Sequence, residues 1–324
     1  MISGDQSFMT AAATSTSRRK VVLAAVLLIS LAVAKRSGAL EQVWGLLTGH
    51  NIPVSGAPVA ATHGKLSEHN LEWLKTQQPQ QQAEFLLGAA INHDEGATNA
   101  IAALVDGWHG QLRRTKKWQD LEMTALYSND LRVRAAAIEV NLAVNNLGKT
   151  DEQVSRLIEG AEQIPTNRPW MAWELGMLAN RGVQPQRIHN LLVSWLHDSD
   201  QQTRYWAVEG LAHMGTDQTI NDFLAVFRDE VSADVRERAG CSLAKSGMLT
   251  REQRMKAVPG LLDLAEDSAL NATTRGWVYQ ALREISDQSI PNDPGAWRDW
   301  YAAHGSERAA RFHQGEQQQV LGNN

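Results

Sequence analysis

Along residues 204–215, RYWAVEGLAHMG, the apolar side chains Ala207, Val208, Leu211 and Met214 recur at helical spacing and fall on one stripe. Gly215 closes the segment, where a left-handed turn is open to a residue without a Cβ. With the closing small residue in register, four other segments repeat the pattern: AIEVNLAVNNLG (137–148), MAWELGMLANRG (171–182), RERAGCSLAKSG (236–247) and RGWVYQALREIS (275–286). The closing residues Gly148, Gly182, Gly215, Gly247 and Ser286 are spaced 34, 33, 32 and 39 residues apart. Val144, Leu178, Leu243 and Leu282 stand where Leu211 stands. Repetition at such a period marks a stacked-repeat architecture.

A second apolar helix is predicted beside each unit, over 151–163, 186–197, 217–228 and 250–265. Short polar turns separate the pairs at Asp198–Asp200, Asp229–Asp234 and Asp267–Asn271. Asp217 is a candidate helix cap, and Thr250 with Gln253 reads as a capping box. The unit is therefore a helical hairpin that cannot bury its own stripe, so neighbours must stack.

An acidic or amide residue, then Arg, then small apolar residues and Leu, ending on Gly, resembles the HEAT-repeat pattern. The instances are Asp200/Arg204/Ala207/Leu211/Gly215, Asp234/Arg236/Ala239/Leu243/Gly247 and Asn271/Arg275/Val278/Leu282. The unit closing at Gly182 has Met171 in the Arg place, and the first unit, with Asp130 and Arg134, slips in register. The resemblance implies an all-α fold, a right-handed α-solenoid of HEAT-like hairpins. It also implies a binding role without naming a chemistry.

The chain divides accordingly. Residues 1–20 are read as a disordered tail ending in Arg18-Arg19-Lys20, and 21–34 as an apolar run followed by Lys35-Arg36. The run is short for a membrane span and suits a signal h-region, with Ala32-Val33-Ala34 as a small-x-small cleavage site. Ser17-Arg18-Arg19 resembles a twin-arginine export signal, although Val21 stands where Phe is common. Retention as a signal anchor is the third reading, and all three place the solenoid outside the cytoplasm. Residues 35–65 read as a flexible tether, 66–128 as an irregular helical cap and 129–290 as the repeats. Residues 291–310 read as a Trp-rich capping helix carrying Trp297 and Trp300, which could alternatively form an aromatic ligand box, and 311–324 as a frayed tail.

Composition narrows function. A net charge of −5 gives no electrostatic case for nucleic acid. The lone Cys241, expected to be a small core residue, excludes an intrachain disulfide and multi-cysteine metal motifs. His93-Asp94-Glu95 with His109 is the densest cluster of metal-ligating types, without a metal-motif spacing. No catalytic or cofactor motif is visible, so no enzyme and no cofactor are expected. Trp is the commonest aromatic, at 11 against 5 Phe and 4 Tyr, and its placement is informative. Nine positions before each closing residue stand Glu139, Trp173, Trp206, Arg238 and Trp277. That position points roughly 140° away from the leucine stripe at 100° per residue. Glu209 is a helical neighbour of Trp206. These side chains either pack between repeats or form a ladder on the concave face for a protein partner, since Trp and Arg dominate binding hot spots. Trp173, Trp206, Glu209, Arg238 and Trp277 are the candidate partner-binding residues. A scaffold or adaptor of the bacterial cell envelope is the expected function. An accessory module for an enzyme or cofactor-attachment system, and a self-associating envelope component, are the alternatives.

Overall fold

The computed structural model describes residues 64–321, so the expected tail, apolar run and nearly all of the tether lie outside the described residues. The N-terminal helices are α1 (Glu68–Lys75), α2 (Pro79–Ile91), α3 (Ala97–Leu104) and α4 (Lys116–Leu126). The repeats contain α5 (Leu131–Val144), α6 (Asp151–Gln163), α7 (Arg168–Asn180), α8 (Pro185–Trp195), α9 (Gln201–Met214), α10 (Gln218–Asp229), α11 (Ala233–Ala244), α12 (Arg251–Met255), α13 (Val258–Glu266) and α14 (Ala272–Ser286). The last helix is α15 (Pro294–Leu321). There is no β-strand among the described residues; the fold is an all-α solenoid.

The helices form two rows. In one row α7 lies on α9, α9 on α11 and α11 on α14. The other row, α6, α8, α10 and α12–α13, is held to the first but barely touches along its own length. Close packing in one row and splaying in the other curves the array toward α5, α7, α9, α11 and α14. Leu178, Leu211, Leu243 and Leu282 are fully buried and recur at equivalent places along this inner row. The splayed outer row is joined by polar contacts instead. Arg187 donates to Ser155 at 3.0 Å, His189 Nε2 lies 2.7 Å from Asp222, and Lys256 pairs with Asp217 at 2.5 Å.

The recurring acidic or amide residue and arginine have separate jobs. Asp200 and Asn271 cap α9 and α14, each accepting from the backbone N–H three residues on, at 2.8 and 2.9 Å; Asp130 caps α5 through Arg132 N–H at 2.9 Å. The arginine four positions later turns back onto the preceding turn. Arg204 donates to Asp198 O at 2.9 Å, Arg275 to Asp267 O at 2.8 Å, and Arg134 to Ser128 O. Each pair thus satisfies both the first amides of its helix and the carbonyls just before it.

Several expectations need correction. Gly182, Gly215 and Gly247 do take positive φ, but the first unit turns on Asn146 and the last on Asp287. Asn and Asp tolerate the left-handed region better than other side chains, so neither unit requires a glycine there. The first unit's stripe residue is accordingly Leu142, fully buried, while Val144 is only half-buried. Asp217 gives no side-chain cap; it accepts from Gln253 at 3.0 Å and binds Lys256. The single helix expected over 250–265 is two helices, because Pro259 lacks an N–H and its ring excludes continuous helix. Finally, α15 runs through the residues expected to fray. Phe312 is buried between Arg251 and Arg308, whose guanidiniums lie 3.9 and 4.8 Å from its ring centroid, and this anchors the extension.

At that end Trp297 is fully buried and its indole donates to Pro291 O at 2.9 Å, as a covering residue would. At the other end His93, Glu95 and their neighbours bond to different partners. His93 faces Asp130 at 3.5 Å and Glu95 faces Lys65 at 3.5 Å. Among the described residues no metal-binding cluster forms, and no helix is long and apolar enough to cross a membrane.

Candidate functional site on the inner face

The inner row sorts the candidate residues into two groups. Trp173, Trp206 and Trp277 are half-buried, with part of each ring reaching the surface. Trp173 and Trp206, one repeat apart, meet edge-to-face with centroids 5.3 Å apart, and Tyr205 meets Trp206 at 5.8 Å. Trp277 does not join that stack. It stands across an open groove of about 550 Å³ whose walls are Tyr205, Trp206, Glu237 and Trp277, with Gln201 and Gln202 at one edge. The aromatic row therefore packs between repeats at Trp173 and faces solvent at Trp206 and Trp277.

Glu209 and Arg238 lie inside. Both are buried, Arg238 Nη2 donates to Glu209 Oε2 at 3.1 Å and to Ser246 Oγ at 2.9 Å, and the guanidinium sits 5.7 Å from the ring centroid of Tyr127. Burial holds the Glu209 carboxyl above its usual range despite Arg238. Burial opposes the charge on Arg238, but Glu209 and the nearby tyrosines leave its guanidinium held more firmly protonated than usual. This pair ties α9 to α11 and offers nothing to an outside partner. Glu139 also leaves the row, accepting from Arg181 at 3.1 Å and Lys149 at 3.0 Å. Its place follows from the register, since the first unit turns on Asn146 and not on Gly148.

Behind the groove His213 is buried against Trp173, with ring centroids 4.5 Å apart and neither imidazole nitrogen bonded. Burial, with Arg238 and Arg134 nearby, pushes its pKa down to about 3, so the ring is neutral. Cys241 is half-buried, outside the core cluster, and donates to Glu237 at 3.2 Å. Burial and Glu237 push the thiol up to about 11, which keeps it protonated and unreactive. A second buried polar group joins α4, α5 and α7. Asn141 donates to Glu122, and Asn145 donates to Glu174 at 2.7 Å. Glu174 is fully buried and one of its oxygens has no partner; burial pushes its pKa up to about 8.

Residues 154–244, spanning α6 to α11, match the family model for HEAT repeats. This segment is similar to HEAT repeats. No curated protein matches the chain. The matched segment coincides with the stretch in which inner helices approach most closely, and the groove lies across its C-terminal boundary, between Trp206 and Trp277. Tyr205 and Glu237 were absent from the candidates read from the sequence. Tyr205 could have been found there, because it adjoins Trp206 and shares none of the leucine stripe.

Proposed function

We propose that the chain is a non-catalytic scaffold of the bacterial cell envelope that holds a protein partner in the inner groove of its HEAT repeats. The observation that carries this reading is the open aromatic groove, where Tyr205, Trp206 and Trp277 present large ring surfaces beside Gln201 and Gln202. Aromatic side chains supply most contact area for little ordering cost, and glutamines supply adaptable hydrogen bonds to a peptide backbone. Such a surface suits an extended segment of another protein. HEAT repeats are in general protein-interaction modules, which supports the same reading. Export rests on the basic-flanked apolar run at 21–34, through which the chain either is secreted or stays attached to the membrane.

The test places a photo-crosslinking side chain at Gln202 and compares the full chain with its Trp277→Ala variant in envelope fractions. One protein should be linked at Gln202, and Trp277→Ala should abolish that link while leaving helicity and melting temperature in place. A Trp277→Ala protein that melts much earlier yet links as before would assign the ring to packing and defeat the proposal. Fractionation with N-terminal sequencing checks the compartment; a cytosolic protein with an intact N-terminus would refute export.

A further inference from the structure

The curved array brings its two ends together. Arg134, near the start of the first inner helix α5, donates to Gly247 O and to Lys245 O in the loop after α11, the latter at 2.7 Å. Between these parts and the last helix lies a cavity of about 530 Å³, bounded by Leu131, Arg134, Arg254, Ile285, Phe312 and Gly315. Its cations fall into two classes. The rim residues Lys245, Arg251 and Arg311 each have a carboxylate: Glu284 at 3.3 Å, Asp287 and Glu307 respectively. Arg134 and Arg254 are each 5% exposed and bond to backbone carbonyls without a carboxylate partner.

Two buried guanidiniums facing one cavity are costly. Carbonyl dipoles offset part of the desolvation; Asp130 favours the charge on Arg134, and Glu284 and Glu316 that on Arg254, but none of them forms a salt bridge with either guanidinium. Burial pushes Arg254 down to about 9 and Arg134 to about 10, and repulsion from Arg134 adds to the effect on Arg254. Both remain protonated at neutral pH. Arg134 spends three of its five N–H groups on carbonyls and Arg254 four, so each keeps donor capacity. The planar forks of arginine match the oxygens of phosphate. Around the cavity Arg134, Lys245, Arg251, Arg254 and Arg311 outnumber Glu284, Asp287 and Glu316 by two, an excess that the charge of a phosphomonoester would balance.

We propose that this cavity is a binding site for a small phosphomonoester, its phosphate seated on Arg134 and Arg254 and its organic part in the space toward Gly315. The site is separate from the aromatic groove and does not depend on the proposed partner. Two variants probe it without touching the buried arginines. A Cβ at Gly315 meets open space, so Gly315→Trp should fill the cavity and leave the helix intact. Lys245→Glu reverses an exposed rim charge.

Titration calorimetry on the full chain, with glycerol 3-phosphate as the probe and glycerol and succinate as controls, decides the matter. Glycerol 3-phosphate should bind saturably, one per chain, and raise the melting temperature, while glycerol does neither. Gly315→Trp and Lys245→Glu should each weaken binding about tenfold or more, with the ligand-free melting temperature unchanged. Absence of saturable binding would overturn the site. Undiminished binding to Gly315→Trp would put the ligand elsewhere, and succinate binding as tightly as glycerol 3-phosphate would overturn the phosphate assignment.

Discussion

Two buried titratable groups give this protein opposite pH dependences. Glu174 has its folded pKa raised from 4.5 to about 8, so the folded state binds the proton more tightly than the unfolded chain does. Its contribution is complete below 4.5 and is lost as pH rises through 8. Glu174→Gln should therefore flatten the fall in melting temperature between pH 5 and 9; an unchanged slope would show that another group controls it. His213 works the other way. Its folded pKa is lowered from 6.5 to about 3, so stability is complete above 6.5 and is lost as pH falls toward 3. Because neither ring nitrogen has a partner, His213→Leu removes a desolvated polar group and should remove acid sensitivity between pH 6.5 and 4 without lowering stability at pH 7. Neither group was assigned such a role from the sequence. Glu174 owes its environment to Asn145 and Arg114, 29 and 60 positions away, and His213 to Trp173 and the two arginines, which are distant in the chain.

At the scale of the element, the inner row is fixed by a repeated leucine and by one glycine pair. Leu211→Ala should cost about 2–5 kcal/mol in chemical denaturation, since the side chain is fully buried between hairpins. Gly176 and Gly210 let α7 and α9 meet backbone to backbone: a Cβ on Gly176 would lie 2.2 Å from Gly210 O, and one on Gly210 would lie 2.4 Å from Ala172 O. The obstacle is main chain and cannot rotate aside, so Gly176→Ala should destabilise by about 1–3 kcal/mol or more. The same change at Gly88, where a Cβ meets nothing, should be neutral or stabilising. The hairpins, their period and their leucine stripe were legible because each depends on neighbours a few residues apart. The left-handed residues Asn146 and Asp287, the break at Pro259 and the extension of α15 were less legible. They depend on which of several permissible turn residues the packing selects, or on arginines such as Arg251 that meet Phe312 from another helix. Trp206 and Trp277 were visible as candidates, but an angle measured around one helix could not show that Glu209 and Arg238 pair with each other in the interior, with Tyr127 against the Arg238 guanidinium.

For the whole molecule, the important departure is from one-dimensional stacking. In an ideal solenoid each repeat touches only its neighbours, so unfolding can begin at any end and spread. Here Arg134 reaches Gly247 and Lys245, more than a hundred residues onward, and Tyr127 lies under Arg238. These contacts close the curve, so losing the first hairpin also releases the loop after α11. That loop rests on α9 of the inner row through Met248 N–H to Ala212 O at 2.8 Å, and Gly247 has no room for a Cβ against the same carbonyl. Opening the closure should therefore be felt across the array. The double variant Tyr127→Ala, Arg134→Met removes both contacts and replaces the charge with a side chain of comparable length. Hydrogen exchange should then rise at amides 245–249 and along α5, and denaturant unfolding should broaden or split, because the two ends no longer stabilise each other. An isolated effect in α5, with amides 245–249 as protected as before and a single sharp transition, would mean that the ends merely touch and that each hairpin stands on its immediate neighbours alone.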